Sequence, residues 1–305
     1  VKYTKPALHF GQQADLLLTR GMSGDRDLIV ERLRSVSYYR LSGYAAPFRK
    51  QSPSDPSTSL CEFRTGTTFE EVWHRYVFDR HLRLLAMDAI ERIEVAVRSL
   101  LATHHAVAHG PFAYASDVRS LPYLNAESRT AFVESIRKER ERSRDVFVRH
   151  FWSKYGDTER DLPLWMAAEV MSLGTLLTLY RGSHQDIQRL VSQPFGVDHS
   201  VFQSWLLTLN TVRNICAHHG RLWNREIGTK PKIPHRLDAW QSPVRIPPDR
   251  AFATLTICKW SLDRIAPESA WSERLHGLLD ESPTIPLHSM GFPDNWRESP
   301  IWRRR

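Results

Sequence analysis

The sequence predicts an all-α protein. Apolar residues recur at spacings of three and four along most of the chain, and few stretches alternate with the period of two that half-buried strands require. Gly and Pro punctuate the periodic segments at intervals suited to a helical bundle.

Residues 10–20, with Phe10, Ala14, Leu17 and Leu18, read as a short amphipathic helix ending near Gly21. Asp25 is placed to cap a second helix that carries Leu28, Ile29, Leu33 and Val36 and runs into Ser37-Tyr38-Tyr39-Arg40-Leu41. Residues 50–66 hold Ser, Pro, Asp and Thr and read as a surface loop. Thr67 and Glu70 have the spacing of a capping box and open a long helix that runs to about His105. That helix is apolar on more than one side (Leu82, Leu84, Leu85, Ile90, Ile93, Val97), as expected of a central helix. Gly110 and Pro111 end it. Residues 126–155 read as one charged helix, and the alternating signs over residues 137–144 indicate a solvated face. Pro163 suits the first turn of a helix reaching Arg181. A short helix near 184–193 and a longer one from Asp198 to His219 follow. Residues 220–248 are Pro-rich and irregular, and helices near 249–265 and 268–280 precede a Trp- and Arg-containing tail. The expected organisation is an N-terminal helical region over 1–50, a helical bundle over 67–282 and an irregular basic tail over 283–305.

Composition narrows the functional classes. With 41% apolar and 10% aromatic residues, 305 residues can bury a sizeable core, which excludes wholesale disorder. Lys plus Arg number 42 against 34 Asp plus Glu, so the net charge of +8 favours a polyanionic partner, nucleic acid before membrane surface. Cys61, Cys216 and Cys258 lie far apart with no C-x-x-C pair, which argues against a thiolate zinc site and for a reduced, cytoplasmic chain. His104, His105 and His109 lack matching acidic or Cys ligands, so no metal site is expected there. Residues 1–10 carry no apolar stretch of the signal-peptide kind, and no run approaches the roughly 20 residues of a membrane span.

The chemistry concentrates near the end of the helix from Asp198. At about 100° per residue, Phe202, Trp205, Leu209, Val212 and Cys216 share a sector of about 80°, the buried face. Asn210, Arg213, Asn214, Ala217 and His218 form a separate stripe, joined by Arg221 if the helix survives Gly220. By the same angles His219 falls beside Thr208 and Val212, so chemistry is assigned to His218 and packing or support to His219. The two are adjacent, and a helix end uncertain by one residue leaves open which carries the proton. Histidine titrates near neutrality and can move a ribose 2′-hydroxyl proton or protonate a leaving 5′-oxygen. Arginine matches phosphate geometry and stabilises charge on the non-bridging oxygens. An Arg and a His five apart also occur by chance, so an ordinary surface histidine stays open on the bare pair.

Arg213-Asn214-Ile215-Cys216-Ala217-His218 resembles the R-N-x-x-x-H motif of the HEPN ribonucleases. The segments Val36 to Tyr44, Phe78-Asp79-Arg80, Ala89 to Glu94, His218 to Asn224 and Met290 to Trp296 resemble the Abi-like (AbiD/AbiF) abortive-infection family. The likeness spans residues 5–302. It implies a HEPN-like helical bundle with an N-terminal helical extension, and a metal-independent endoribonuclease of phage defence with no cofactor. It implies Arg213, Asn214 and His218 as catalytic residues, contributed twice by a homodimer. RNA is the implied substrate, and a small non-coding RNA an implied regulator. The rivals are a non-catalytic RNA-binding protein and an interaction protein in which the motif is structural.

Six other side chains are candidates for support or RNA contact. His219, Arg221 and Asn224 flank the motif. Glu91 is placed to orient His218 or Arg213, although nearby Glu94 and Arg98 have the spacing of an ordinary intrahelical pair. Glu169, an acid in an apolar helix, is expected to be buried beside a partner, an Arg or the site itself. Arg40 is placed to contact RNA, while Tyr38 and Tyr39 read as core.

Overall fold

A computed structural model describes residue 2 and residues 4–55 and 57–303. Among the described residues there are thirteen α-helices and one two-stranded sheet, so the fold is all-α. The chain divides into two compact units, residues 1–82 and 83–305.

In the first unit, α1 (Phe10–Thr19) packs on α2 (Arg26–Ser35) through Ala14, Leu17, Ile29 and Leu33. Asp25 caps α2 by accepting from the Leu28 amide at 2.8 Å. Val36 leaves the helical region, so α3 (Tyr38–Ala45) is separate, capped by Ser37. Tyr39 is 89% exposed and not core. The expected loop contains a hairpin, β1 (Arg49–Gln51) with β2 (Ser59–Phe63), antiparallel and bulged. Asp55 closes its turn, accepting from the Ser57 amide and the Thr58 hydroxyl. Four of the five β2 residues are exposed, so no apolar alternation betrays the strand.

α4 (Phe69–His109) is the 41-residue helix the sequence predicts, with its first turns in the first unit and the rest in the second. Its capping box sits one residue later than expected. The Thr68 amide donates to Glu71 at 2.9 Å, and the Glu71 amide donates to the Thr68 hydroxyl at 3.1 Å. Thr67 instead accepts from the Ser23 amide through its carbonyl.

In the second unit two predicted helices are broken. Residues 126–155 form α6 (Ala126–Arg142) and α7 (Val146–Tyr155), after the short α5 (Ala113–Ser116). Ser143 and Asp145 bond each other at 2.6 Å between α6 and α7, the competition with helix that short polar side chains offer. The α6 charges are not simply solvated: Arg137 makes a two-pronged pair with Asp161 at 2.7 Å, and Arg140 lies over the Trp152 ring. The next segment forms α8 (Leu164–Val170) and α9 (Leu173–Gly182), because Ser172 takes an extended backbone and caps α9 through the Thr175 amide.

α10 (Gln185–Ser192) and α11 (His199–Ala217) follow, then α12 (Ala251–Ile265) and α13 (Trp271–Asp280). α12, not α4, is the enclosed helix. Every residue over 251–262 is buried, whereas α4 leaves Leu84, Val95 and Val107 exposed. The final segment is irregular yet buries Met290, Trp296 and Trp302, and the Trp302 indole donates to Thr256 on α12. Arg304 and Arg305 of the expected basic tail lie outside the described residues.

Candidate functional site

α11 positions the motif. Asp198 caps its start by accepting from the Ser200 amide, and Phe202, Trp205, Leu209, Val212 and Cys216 are all buried, as the helical angles require. α9, α10 and α12 pack against it.

The helix ends inside the motif. Ala217 is its last residue and His218 closes it. The His219 amide donates to the Cys216 carbonyl at 3.0 Å, and the Gly220 amide to Ile215 at 2.7 Å. This pair of bonds is a Schellman motif, with His219 in the left-handed position that glycine usually fills, φ 56°. Extending the helical angles past His218 therefore fails for His219. It is turned out of the helix and exposed, not packed against the apolar face. Asn214, Ala217 and His218 are exposed along one side, and Arg213 is half-buried beside them. Arg213 Nη1 donates to Asn214 Oδ1 at 3.4 Å.

The Glu94 carboxyl of α4 interacts electrostatically with the Arg213 guanidinium. Burial raises the Glu94 carboxyl above the ordinary range, against the pull of the Arg98 and Arg213 guanidiniums. Arg98 Nη2 donates to Glu94 at 2.9 Å and to the Met171 carbonyl at 3.2 Å, where α8 ends. Its Nη1 lies 3.7 Å from Glu169. A chain of charge thus runs from Glu169 through Arg98 and Glu94 to Arg213. Sequence reasoning assigned this supporting position to Glu91, which is exposed. The i, i+4 spacing of Glu94 and Arg98 was a visible signal, but nothing in it pointed at Arg213. Glu169 is not buried: its side chain is 58% exposed and its partner is Arg98.

Three other candidates lie outside the motif itself. Arg221 is half-buried just beyond the Schellman turn. Asn224 also has a left-handed backbone, φ 49°, and accepts from Arg250, which donates as well to the Ser289 carbonyl. Arg40 is half-buried on α3, in the first unit. Among the described residues no three His, Cys, Asp or Glu side chains converge as metal ligands would. No helix of the described residues is long and apolar enough to cross a membrane. The arrangement offers an exposed imidazole, an amide and a guanidinium, a set suited to moving protons and holding a phosphate.

Comparison with curated proteins found no match, and comparison with solved structures found none. The family model described as Abi-like protein matches residues 31–224, from within α2 to just past the motif, well over half of the chain. The chain belongs to the Abi-like protein family.

Proposed function

We propose that this protein is a metal-independent endoribonuclease of abortive-infection phage defence, of the HEPN type, acting as a homodimer. Family membership supports the defence role. The observation that carries the nuclease reading is the end of α11, where His218 and Asn214 stand exposed and the half-buried Arg213 donates to Asn214.

The reaction is an internal transfer. The ribose O2′ attacks the adjacent phosphorus, and the P–O5′ bond breaks. One His218 takes the 2′-hydroxyl proton, and the His218 of a second copy protonates the leaving 5′-oxygen. Arg213 neutralises charge on the non-bridging oxygens, and Asn214 orients the phosphate or Arg213. The products are a 2′,3′-cyclic phosphate and a 5′-hydroxyl. Two imidazoles suffice for both proton transfers, so no cofactor is required, and each copy supplies one. A small non-coding RNA is the proposed restraint on activity.

The test is end mapping. Purified protein is incubated with mixed RNA and with DNA in EDTA, and the product ends are identified. Cyclic phosphate ends on RNA, with DNA intact, are expected. RNA bound without cleavage, or cleavage abolished by EDTA, contradicts the proposal.

A further inference from the structure

Two cavities meet at the first turn of α11. One, of about 1030 Å³, has an apolar floor that includes Val201 and Ile233 and a rim bearing Lys232, His235 and Arg236. The other, of about 600 Å³, holds Arg181, Gln185 and Gln203, with the half-exposed ring of Tyr123 at its edge. His199 and Ser200 line both, so together they form one trough across the start of α11.

The trough is built on the motif helix. The irregular segment carrying its basic rim is fastened to α11 by side chains of that helix. The Lys232 amide donates to Ser204 Oγ at 2.9 Å, the Trp205 indole donates to the Lys232 carbonyl at 2.9 Å, and Thr208 donates to the Thr229 carbonyl at 3.2 Å. The basic rim and the Arg213 site are thus held by the same rigid helix.

Its lining suits a polyanion with flat bases. Lys232, Arg236 and Arg181 form no ion pair among the described residues. The carboxylate lining the trough among the described residues is Asp198, already engaged with the Ser200 amide at 2.8 Å. Unpaired cations at a rim suit phosphates. An apolar floor and an exposed tyrosine suit bases, and amide side chains suit base edges. A duplex buries its base faces and uses neither floor nor ring.

We propose that this trough binds single-stranded RNA and holds the substrate strand at a distance from the Arg213–His218 site. The inference rests on the reading that RNA is the substrate. The nineteen residues of α11 span about 28 Å, so the trough engages nucleotides well removed from the bond that is cut. Short RNAs that cannot reach both ends of α11 bind more weakly than long ones.

The test uses the full chain with His218→Ala, so that RNA stays intact. A fluorescent oligouridylate of about 16 nucleotides, the upper end of one binding footprint, is titrated by anisotropy between about 50 and 200 mM salt. The comparison adds Arg181→Gln, Lys232→Gln and Arg236→Gln. Loss of three phosphate contacts is expected to make the slope of log affinity against log salt less negative by about 2, and to weaken binding at least about tenfold at low salt. A 4-thiouridine probe is expected to crosslink to Tyr123 or to residues 181–203 or 229–237. An unchanged slope, or crosslinks with none in the trough, overturns the proposal. Displacement of the oligomer by millimolar uridine monophosphate also overturns it, since the trough is then a mononucleotide pocket. Equal melting temperatures show that the variant folds. If the slope changes but the unsubstituted protein never cuts RNA, the trough stands and the nuclease reading falls. If His218-dependent cleavage is seen and the slope is unmoved, the reverse holds.

Discussion

His219 carries the backbone cost of the site. An L-residue in the left-handed region is disfavoured relative to glycine by about 1 kcal/mol. His219→Gly is therefore expected to melt about 2 °C or more above His219→Ala, a difference from which the lost imidazole cancels. Equal melting of the two variants contradicts the Schellman geometry. His105 is fully buried on α4, in the second unit. Burial, aided by neighbouring His109, lowers its imidazole to about 4. The unfolded chain binds its proton near 6.5 and the folded chain does not until about 4. Stability is thus full above pH 6.5 and falls as pH drops towards 4, by about 3 kcal/mol across the window. Denaturant unfolding against pH should show this slope, and His105→Phe should flatten it.

At the element scale, Arg98 ties the Glu94 carboxylate of α4 to the end of α8 at Met171. Ser172→Ala removes the α9 cap and should cost about 1 kcal/mol. Arg98→Met strands Glu94, half-buried and without its main partner, and should cost about 2 kcal/mol in denaturant unfolding. Adding Glu94→Gln should recover part of that loss, and a strictly additive pair contradicts the coupling. The same scale shows what sequence could reveal. The buried face of α11 was legible because five apolar residues fall at helical spacing, and the cap of α2 because Asp25 precedes it. The breaks at Ser143 and Ser172 were not. Each depends on one side chain winning a backbone hydrogen bond, which no periodicity records. The β1–β2 hairpin was invisible because its outer strand buries one residue.

At the scale of the whole molecule, the proposed site needs two copies, and this makes mixing informative. When protein is equilibrated with an equal amount of His218→Ala at constant total protein, about a quarter of random dimers carry two intact copies. Cleavage should fall to that fraction, whereas independent protomers would retain about half. The motif itself was readable as a stripe of polar residues. Its surroundings were not, because the charge of Glu94 acts on Arg213 through space between residues far apart in sequence. The helix end also mattered: it moved His219 off the face that helical angles assign to it and left His218 on the motif's exposed side.

The most direct measurement compares single-turnover RNA cleavage by the unsubstituted protein, His218→Ala and His219→Ala in EDTA. His218→Ala is expected to lose about 100-fold to 10,000-fold in rate, the range for a general acid or base, while His219→Ala stays within about tenfold. Equal rates for the unsubstituted protein and His218→Ala would contradict the account.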